Sequence, residues 1–296
     1  MENDRLNSDL ITREYFDSLL ISMRLIDSEK ADTGIKIFGK KFLMPITTAA
    51  LSHLNNTAED GMAEMAKGAA MAGALCFSGM GEAEELKRMC DTGASVIKIV
   101  KPHENNEKVF AKILEAEEAG CFGVGMDIDH AFSGDGEYDN VMGLPMRPKS
   151  LKELISFTES TNLPFVIKGV LSVRDAKKCL EAGAAGIVVS HHHGIMRSAV
   201  PPLMVLPEIK KAVGSRMTIF VDCGIESGMD AYKALALGAD AVCVGRAIMA
   251  PLKEKGAEGV CETLKSMNAE LKAVMERTAC VKLNKIDDSV IYHRNF

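Results

Sequence analysis

Five times along the chain a helical pattern of apolar positions ends in glycine and gives way to a short, nearly unbroken apolar run: MAGALCFSG, DTGASVIKIV, EAGCFGVGMDI, EAGAAGIVVS and ALGADAVCVG. Gly73, Gly93, Gly120, Gly183 and Gly238 stand at these junctions. A helix C-cap takes a left-handed residue, which glycine adopts at no steric cost, so each is predicted to end a helix. The runs that follow are four to seven residues long, rich in Val, Ile, Ala and Gly, and show no polar alternation. Strands of that kind are covered on both faces, as in a parallel sheet.

Three more runs, MPITTAA (44–50), LPFVIKG (163–169) and MTIFVDCG (217–224), complete eight predicted strands near positions 49, 77, 99, 127, 167, 189, 221 and 244. The segments between them carry apolar residues at helical spacing, and several open on Ser, Thr or Asn caps. Eight β-α units close most economically into a TIM (β/α)8 barrel; an open, doubly wound sheet is the alternative. No Pro-, Gly- or Ser-rich linker divides residues 1–296, so a single domain is expected. Residues 1–35 read as a lead-in and 252–296 as terminal helices packed on the barrel. AVPPLMVLPEI (199–209) reads as a kinked lead into a helix, with Pro207 near its start.

Barrel enzymes carry their chemistry where strands end and βα-loops begin. That rim holds Ser52, His53, Ser78, Lys98, Asp127, Asp129, His130, Lys168, Ser190, the histidines 191–193, Asp222, Gly245 and Arg246. The segment 130–150, HAFSGDGEYDNVMGLPMRPKS, is a long connection after the fourth strand and reads as a lid.

Composition narrows the function. A chain of 296 residues, 47% hydrophobic and 26% charged, suits a large buried core. A net charge of -6 leaves no basic face for nucleic acid or anionic lipid. The N-terminal MENDRLNSDLI lacks the apolar core of a signal peptide, and the longest apolar runs are strand-sized. Eight cysteines are scattered without a C-x-x-C pair and read as reduced residues of a cytoplasmic protein.

Three segments carry a resemblance. PFVIKGVLSVRDAKKCLEAGAAGIVVSHHHG, VDCGIESGMDAYKALALGADAVCVGRAIM and GKKFLMPITTAA resemble the FMN-dependent α-hydroxy-acid oxidase and dehydrogenase family, which includes glycolate oxidase, lactate oxidase and mandelate dehydrogenase. The resemblance runs from Arg24 to residue 285 and is most specific in the second half. It implies FMN across the rim, bordered by Ala50, Leu51, Ser78, Lys98, Asp127, Lys168, Ser190, His192, Asp222, Gly224, Gly245 and Arg246. Lys168 would stand near flavin N1 and O2, where a fixed cation favours reduction. Asp222 would hold ribityl hydroxyls, Gly224 would let the backbone approach the cofactor, and Gly245 with Arg246 would receive the phosphate.

The run IVVSHHHGIM is read through the same resemblance. The family's sixth strand ends in Ser-Asn-His-Gly-Gly-Arg, whose histidine takes the substrate proton and whose arginine grips its carboxylate. Aligned on Ser190, His192 falls on that histidine, His191 replaces the Asn and His193 the first Gly. A neutral imidazole is a suitable base near neutral pH. Side chains alternate along an extended strand end, so His191 and His193 are expected to face away from His192, and no metal site is expected.

The departures bear on substrate. Ile195 stands where the arginine belongs, with Arg197 two residues late; Lys98 replaces a flavin-contacting glutamine, Val100 a tyrosine, Asp127 a threonine and Glu226 a phosphate-contacting arginine. The N-terminal substrate tyrosine has no counterpart, Tyr15 lying in a different context. Lys98 and Asp127 are expected to pair across adjacent strands. Asp129, His130, His193 and Arg197 are expected around the substrate, a hydroxy-acid-like compound or another alcohol or amine. The expected activity is FMN-dependent oxidation with hydride transfer to the flavin. A non-redox isomerase like type 2 isopentenyl diphosphate isomerase, and a flavin-binding barrel without catalysis, are the other readings. Members of the family are commonly tetramers, so a homo-oligomer is expected.

Overall fold

The computed structural model describes residues 5–294. Eight strands form one parallel sheet: β1 Ile46–Thr48, β2 Cys76–Ser78, β3 Val96–Val100, β4 Gly123–Asp127, β5 Phe165–Val170, β6 Gly186–Val189, β7 Thr218–Val221 and β8 Ala241–Val244. Each bonds to the next in chain order from β2 to β8, and β8 pairs with β1. Thr48 N–H donates to Leu75 O at 3.2 Å and Leu51 bridges Ser78 in parallel, which brings the first strand against the second. The result is a TIM barrel, with the strands at the predicted positions.

Helices α1 Ser8–Ser18, α2 Gly61–Ala72, α3 Ala83–Asp91, α4 Asn106–Glu118, α5 Leu151–Glu159, α6 Val173–Glu181, α7 Pro202–Val213, α8 Gly228–Ala236 and α9 Met249–Arg277 surround it. The five cap glycines all take positive φ, from +70° at Gly73 to +111° at Gly238. At the other ends Ser150, Ser172 and Ser227 accept hydrogen bonds from backbone N–H groups of their own first turns.

Two apolar layers result. Inside the cylinder Leu75, Phe77, Ile97, Ile99, Val166, Val188 and Phe220 pack together. The hairpin Ile35–Ile37/Lys40–Phe42 plugs the end away from the rim, with Phe42 and Phe122 rings 5.8 Å apart. Apolar helix faces bury the strands' outer side chains, such as Ile167, Ile187 and Ile219. Both faces of each strand are thus covered, which is why the strand sequences lack polar alternation.

Three expectations change. The C-terminal segment is one long helix, α9, broken at Gly256, and the chain then returns as an extended strand, Ile291–His293, antiparallel to Leu19–Ile21. β-Branched Val290 and Ile291 favour that extended path over a further helix. Pro207 lies inside α7, whose first residue is Pro202; a ring at that position costs no hydrogen bond. β6 stops at Val189, so the histidines lie beyond the strand.

The lead-in contributes to the rim. α1 lies near the ends of β6 and β7, held by the guanidinium of Arg13 on both Asp230 oxygens, at 2.9 and 3.2 Å. Gly224, with φ +91°, has no room for a side chain: a Cβ there would lie 2.9 Å from Phe16 and 3.1 Å from Thr12. That glycine therefore lets α1 close on the rim.

Candidate active site

The site begins with strand register. Lys168 on β5 sits opposite Asp127 on β4, so ammonium and carboxylate emerge side by side at the rim. Lys168 Nζ lies 3.1 Å from Asp127 Oδ1 and 3.9 Å from oxygens of both Asp129 and Asp222. Lys101, just past β3, reaches Asp127 Oδ2 at 2.7 Å. Burial alone would lower the Lys168 amine, but Asp127, Asp222 and Asp129 outweigh it and raise it well above its ordinary value. Burial would likewise raise the Asp127 carboxyl, yet Lys168, Lys101 and His192 hold it far below the usual carboxylate range. Both groups are charged.

Lys98 is not the partner of Asp127. The β3–β4 register sets Lys98 against Val124 and Val100 against Met126, which carries Lys101, three residues on, to the level of Asp127. Lys98 donates instead to Gly79 O and lines a cavity of about 450 Å³ with His53, Met80, Val100, Lys101 and Met142. Burial, then Lys112, lowers its amine to about 8.

The three histidines stand on a turn. His192, His193 and Gly194 take φ of +49°, +54° and +69°, three left-handed residues in succession. Non-glycine residues hold that conformation only where the surroundings fix it. Here Ser190 Oγ accepts from His192 N–H at 3.1 Å, and His191 Nδ1 accepts from Gly194 N–H at 2.9 Å. Buried His191 meets Thr12 Oγ1 of α1 at 2.7 Å, and His193 Nδ1 lies 3.9 Å from Asp9. The side chains diverge as expected, though by a left-handed turn instead of strand alternation. Arg197 is exposed farther along the same loop.

His192 alone faces the cluster. Its Nδ1 lies 2.9 Å from Lys168 Nζ and 3.0 Å from Asp129 Oδ1, and its Nε2 lies 3.1 Å from His130 Nε2. His130 Nδ1 is 2.9 Å from Asp139 Oδ2. Asp129, His130 and His192 offer ligand atoms within 4.8 Å of one another, but the Lys168 ammonium against His192 opposes a metal cation there. Lys101 and Asp139 were not singled out from the sequence. Lys101 lies three residues after Lys98, a spacing that marks it only once the register is known. Asp139 sits in a loop whose path carries no local signal.

The residues fit a flavin. Lys168 supplies a buried, permanently charged ammonium at the rim. Asp127 Oδ1 and Asp129 Oδ2 are buried and make no well-aligned hydrogen bond, with the Lys168 ammonium 3.1 and 3.9 Å away, so both keep capacity for a further donor. Between the ends of β7 and β8 a recess is lined by His193, Asp222, Gly224, Gly245 and Arg246. A side chain at Gly245 would meet nothing nearer than 3.6 Å, which leaves its backbone open to an approaching group. Arg246 is half-exposed at a helix start and pairs with Asp9 at 3.0 Å; exposed Glu226 adds no cation. Ser78 and Ser190 are buried at strand ends, and half-buried Ala50 and Leu51 follow β1.

The FMN-dependent dehydrogenase family pattern matches residues 10–159 and 149–293. The chain belongs to that family. Glycolate oxidase 1 of Oryza sativa subsp. japonica is 28% identical over 317 residues, covering 95% of this chain and 86% of that protein. An L-lactate oxidase of Alicycliphilus denitrificans is 46% identical over 128 residues, 43% of this chain and 35% of that protein. A crystal structure of mandelate oxidase superposes with a TM-score of 0.89 at 26% identity, covering 98% of this chain and 91% of that one. A mandelate oxidase mutant carrying a monooxide FMN adduct gives 0.87 at 28% identity, with 98% and 92% covered. This family member is an FMN-dependent oxidoreductase, and the relatives favour that activity over a non-redox isomerase.

Proposed function

We propose that the protein oxidises a hydroxylated small molecule of the 2-hydroxy-acid class, or a related alcohol, with His192 as the group that accepts the substrate proton. The carrying observation is the contact of His192 with Lys168 and Asp129 at the barrel rim. When bound, FMN supplies the two-electron acceptor. Lys168, kept charged by three carboxylates, would stabilise negative charge at the pyrimidine side of the cofactor. His192 would take the substrate proton, and the Asp129 carboxylate 3.0 Å from its Nδ1 would offset the imidazolium charge. Asp222, Gly245 and Arg246 would hold the ribityl and phosphate end. The loop 130–150, folded into the small hairpin Asn140–Val141/Leu144–Pro145, would exclude water.

The substrate's own charge is the open variable of this reading. With Ile195 in place of a carboxylate-gripping arginine and Lys101 committed to Asp127, the rim has little spare positive charge. The hydroxy-acid class is supported by the relatives; an uncharged analogue fits the carboxylate-rich rim. Anaerobic bleaching of the FMN absorbance by a panel of 2-hydroxy acids, their amides and simple secondary alcohols tests the reading. His192→Ala should keep the bound flavin and lose the bleaching. A protein that no member of the panel bleaches, or a variant as fast as the parent, ends the proposal.

The reading includes a homo-oligomer, a tetramer, working in the cytoplasm. Free cysteines at all eight positions suit a reducing compartment, and Met23, Leu25 and Ile26 expose apolar side chains that a second copy would cover. Among the described residues no helix is long and apolar enough to cross a membrane. Light scattering of the purified protein gives the assembly size.

A further inference from the structure

Lys98 and Lys101 leave the end of β3 in opposite directions. Ile97 and Ile99 pack inside the cylinder while Val96 and Val100 meet the helices, so Lys98, between the latter two, points outward toward α3 and α4. Lys101, one residue past the strand, turns inward onto Asp127 at 2.7 Å. The cavity of about 450 Å³ lies over this strand end and touches both lysines. Its inner side is thus one ion pair away from Lys168, through Lys101 and Asp127. Its outer wall holds Lys98, with Glu85 of α3 and Lys112 of α4. Between the two sides Met80, Val100, Met142 and Leu144 make an apolar middle, so the hairpin of loop 130–150 forms part of the wall.

The cations on this cavity are not equivalent. Lys101 is matched by Asp127, and Lys112 by Glu115 at 2.8 Å. Lys98, only 3% exposed, donates to the carbonyl of Gly79 and, among the described residues, has no carboxylate within 4 Å. The Glu85 carboxylate instead fills the space where a side chain at Gly81 would stand, and Glu82 is exposed. His103, on the same cavity, keeps its Nδ1 buried without a hydrogen-bond partner. Burial, then Lys112, lowers the Lys98 amine to about 8, which leaves it protonated at neutral pH. A buried ammonium held only by a carbonyl is unfavourable until an anion completes it. The cavity is also larger than a two- or three-carbon acid fills.

We propose that this cavity is a distal lobe of the substrate site, in which Lys98 binds a carboxylate at the far end of a substrate whose hydroxyl faces His192. This deepens, and rests on, the reading of His192 as the proton acceptor. The substrate is then a chain with a hydroxyl at one end, apolar carbons along Met80, Val100 and Met142, and an acidic group at the other end. That anion stands apart from Asp127, Asp129 and Asp222, so the shortage of free positive charge beside those carboxylates does not exclude it. Lys98, expected from the sequence to border the flavin, is assigned to the substrate instead.

The test titrates the FMN-loaded protein by calorimetry with hexanoate and with hexanamide, which share a shape, differ in charge and carry no hydroxyl to oxidise. Hexanoate should bind about tenfold tighter or better, and in Lys98→Met the two should bind within about twofold of each other. Hexanoate that does not bind, or binds no better than the amide, overturns the proposal, and that comparison needs no variant. A preference that survives in Lys98→Met overturns it as well, since the anion then sits elsewhere, as at Arg246. In turnover, 2-hydroxyhexanedioate should show a KM about tenfold below that of 2-hydroxyhexanoate, and Lys98→Met should erase the difference. Equal KM values in the parent protein overturn the link to the substrate. The two levels separate cleanly. If no hydroxylated compound bleaches the flavin while hexanoate keeps its preference, the oxidation reading fails and the Lys98 anion site stands. If hydroxy acids bleach the flavin and hexanoate shows no preference, only the present inference fails.

Discussion

Lys101 and Asp127 pair at 2.7 Å with side chains only 9% and 4% exposed, and Lys168 closes on the aspartate's second oxygen. One carboxylate thus anchors two ammonium groups from neighbouring strands. Removing a single member of such a buried pair leaves an uncompensated charge, whereas removing both is far less costly. Lys101→Met leaves Asp127 with Lys168 as its remaining partner and is expected to lower stability by about 2 kcal/mol, whereas Asp127→Asn strands Lys101. Asp127→Asn combined with Lys101→Met is expected to lose less than the sum of the single changes, because Lys101 no longer needs a counter-charge. Urea unfolding of the apoproteins measures both.

Asp129→Asn keeps the side chain's size and removes the charge beside His192 Nδ1. It is expected to reduce kcat by about a hundredfold while FMN stays bound, since the imidazolium loses its buried counter-charge. Stopped-flow flavin reduction, compared with the flavin content of the variant, checks this.

Lys98 gives a pH signature. Its amine sits near 8 in the folded protein, below the ordinary 10.5, so between those values the unfolded chain binds the extra proton and stability rises with pH. Below pH 8 the folded state carries the full cost of a buried ammonium, at most about 3 kcal/mol. Lys98→Met is expected to raise Tm at pH 7, with the gain shrinking as pH rises toward 10.5. Thermal scans of both apoproteins across that window provide the comparison; a gain that grows with pH would contradict it.

Gly224→Ala places a methyl group 2.9 Å from Phe16 at a residue with φ +91°. Backbone strain and overlap act together, and a loss of about 2 kcal/mol is expected, with α1 loosened from the rim. Hydrogen exchange at the α1 amides should rise in the variant while the barrel strands stay protected.

The limits of sequence reading fall at identifiable places. Gly73, Gly93, Gly120, Gly183 and Gly238 were legible because a left-handed cap is a demand of the local backbone. So was Lys168, through the motif around it and its place at a strand end. The expected Lys98–Asp127 pair was wrong by three residues, since the offset between β3 and β4 is set by packing across the cylinder. The histidine turn was read as strand, because nothing in Ser-His-His-His announces left-handed backbone at non-glycine residues.

What the chain specifies by itself is therefore the alternation of helix and buried strand, the ends where polar groups collect, and the family. Those follow from residue-level preferences: glycine at caps, β-branched side chains in covered strands, charge kept to the rim. Tertiary structure alone decides which charges meet. Asp139 reaches His130, Lys101 reaches Asp127 and Thr12 reaches His191 only after strand register, loop 130–150 and α1 are fixed in space, since separations of 9, 26 and 179 residues carry no local energetic preference for contact.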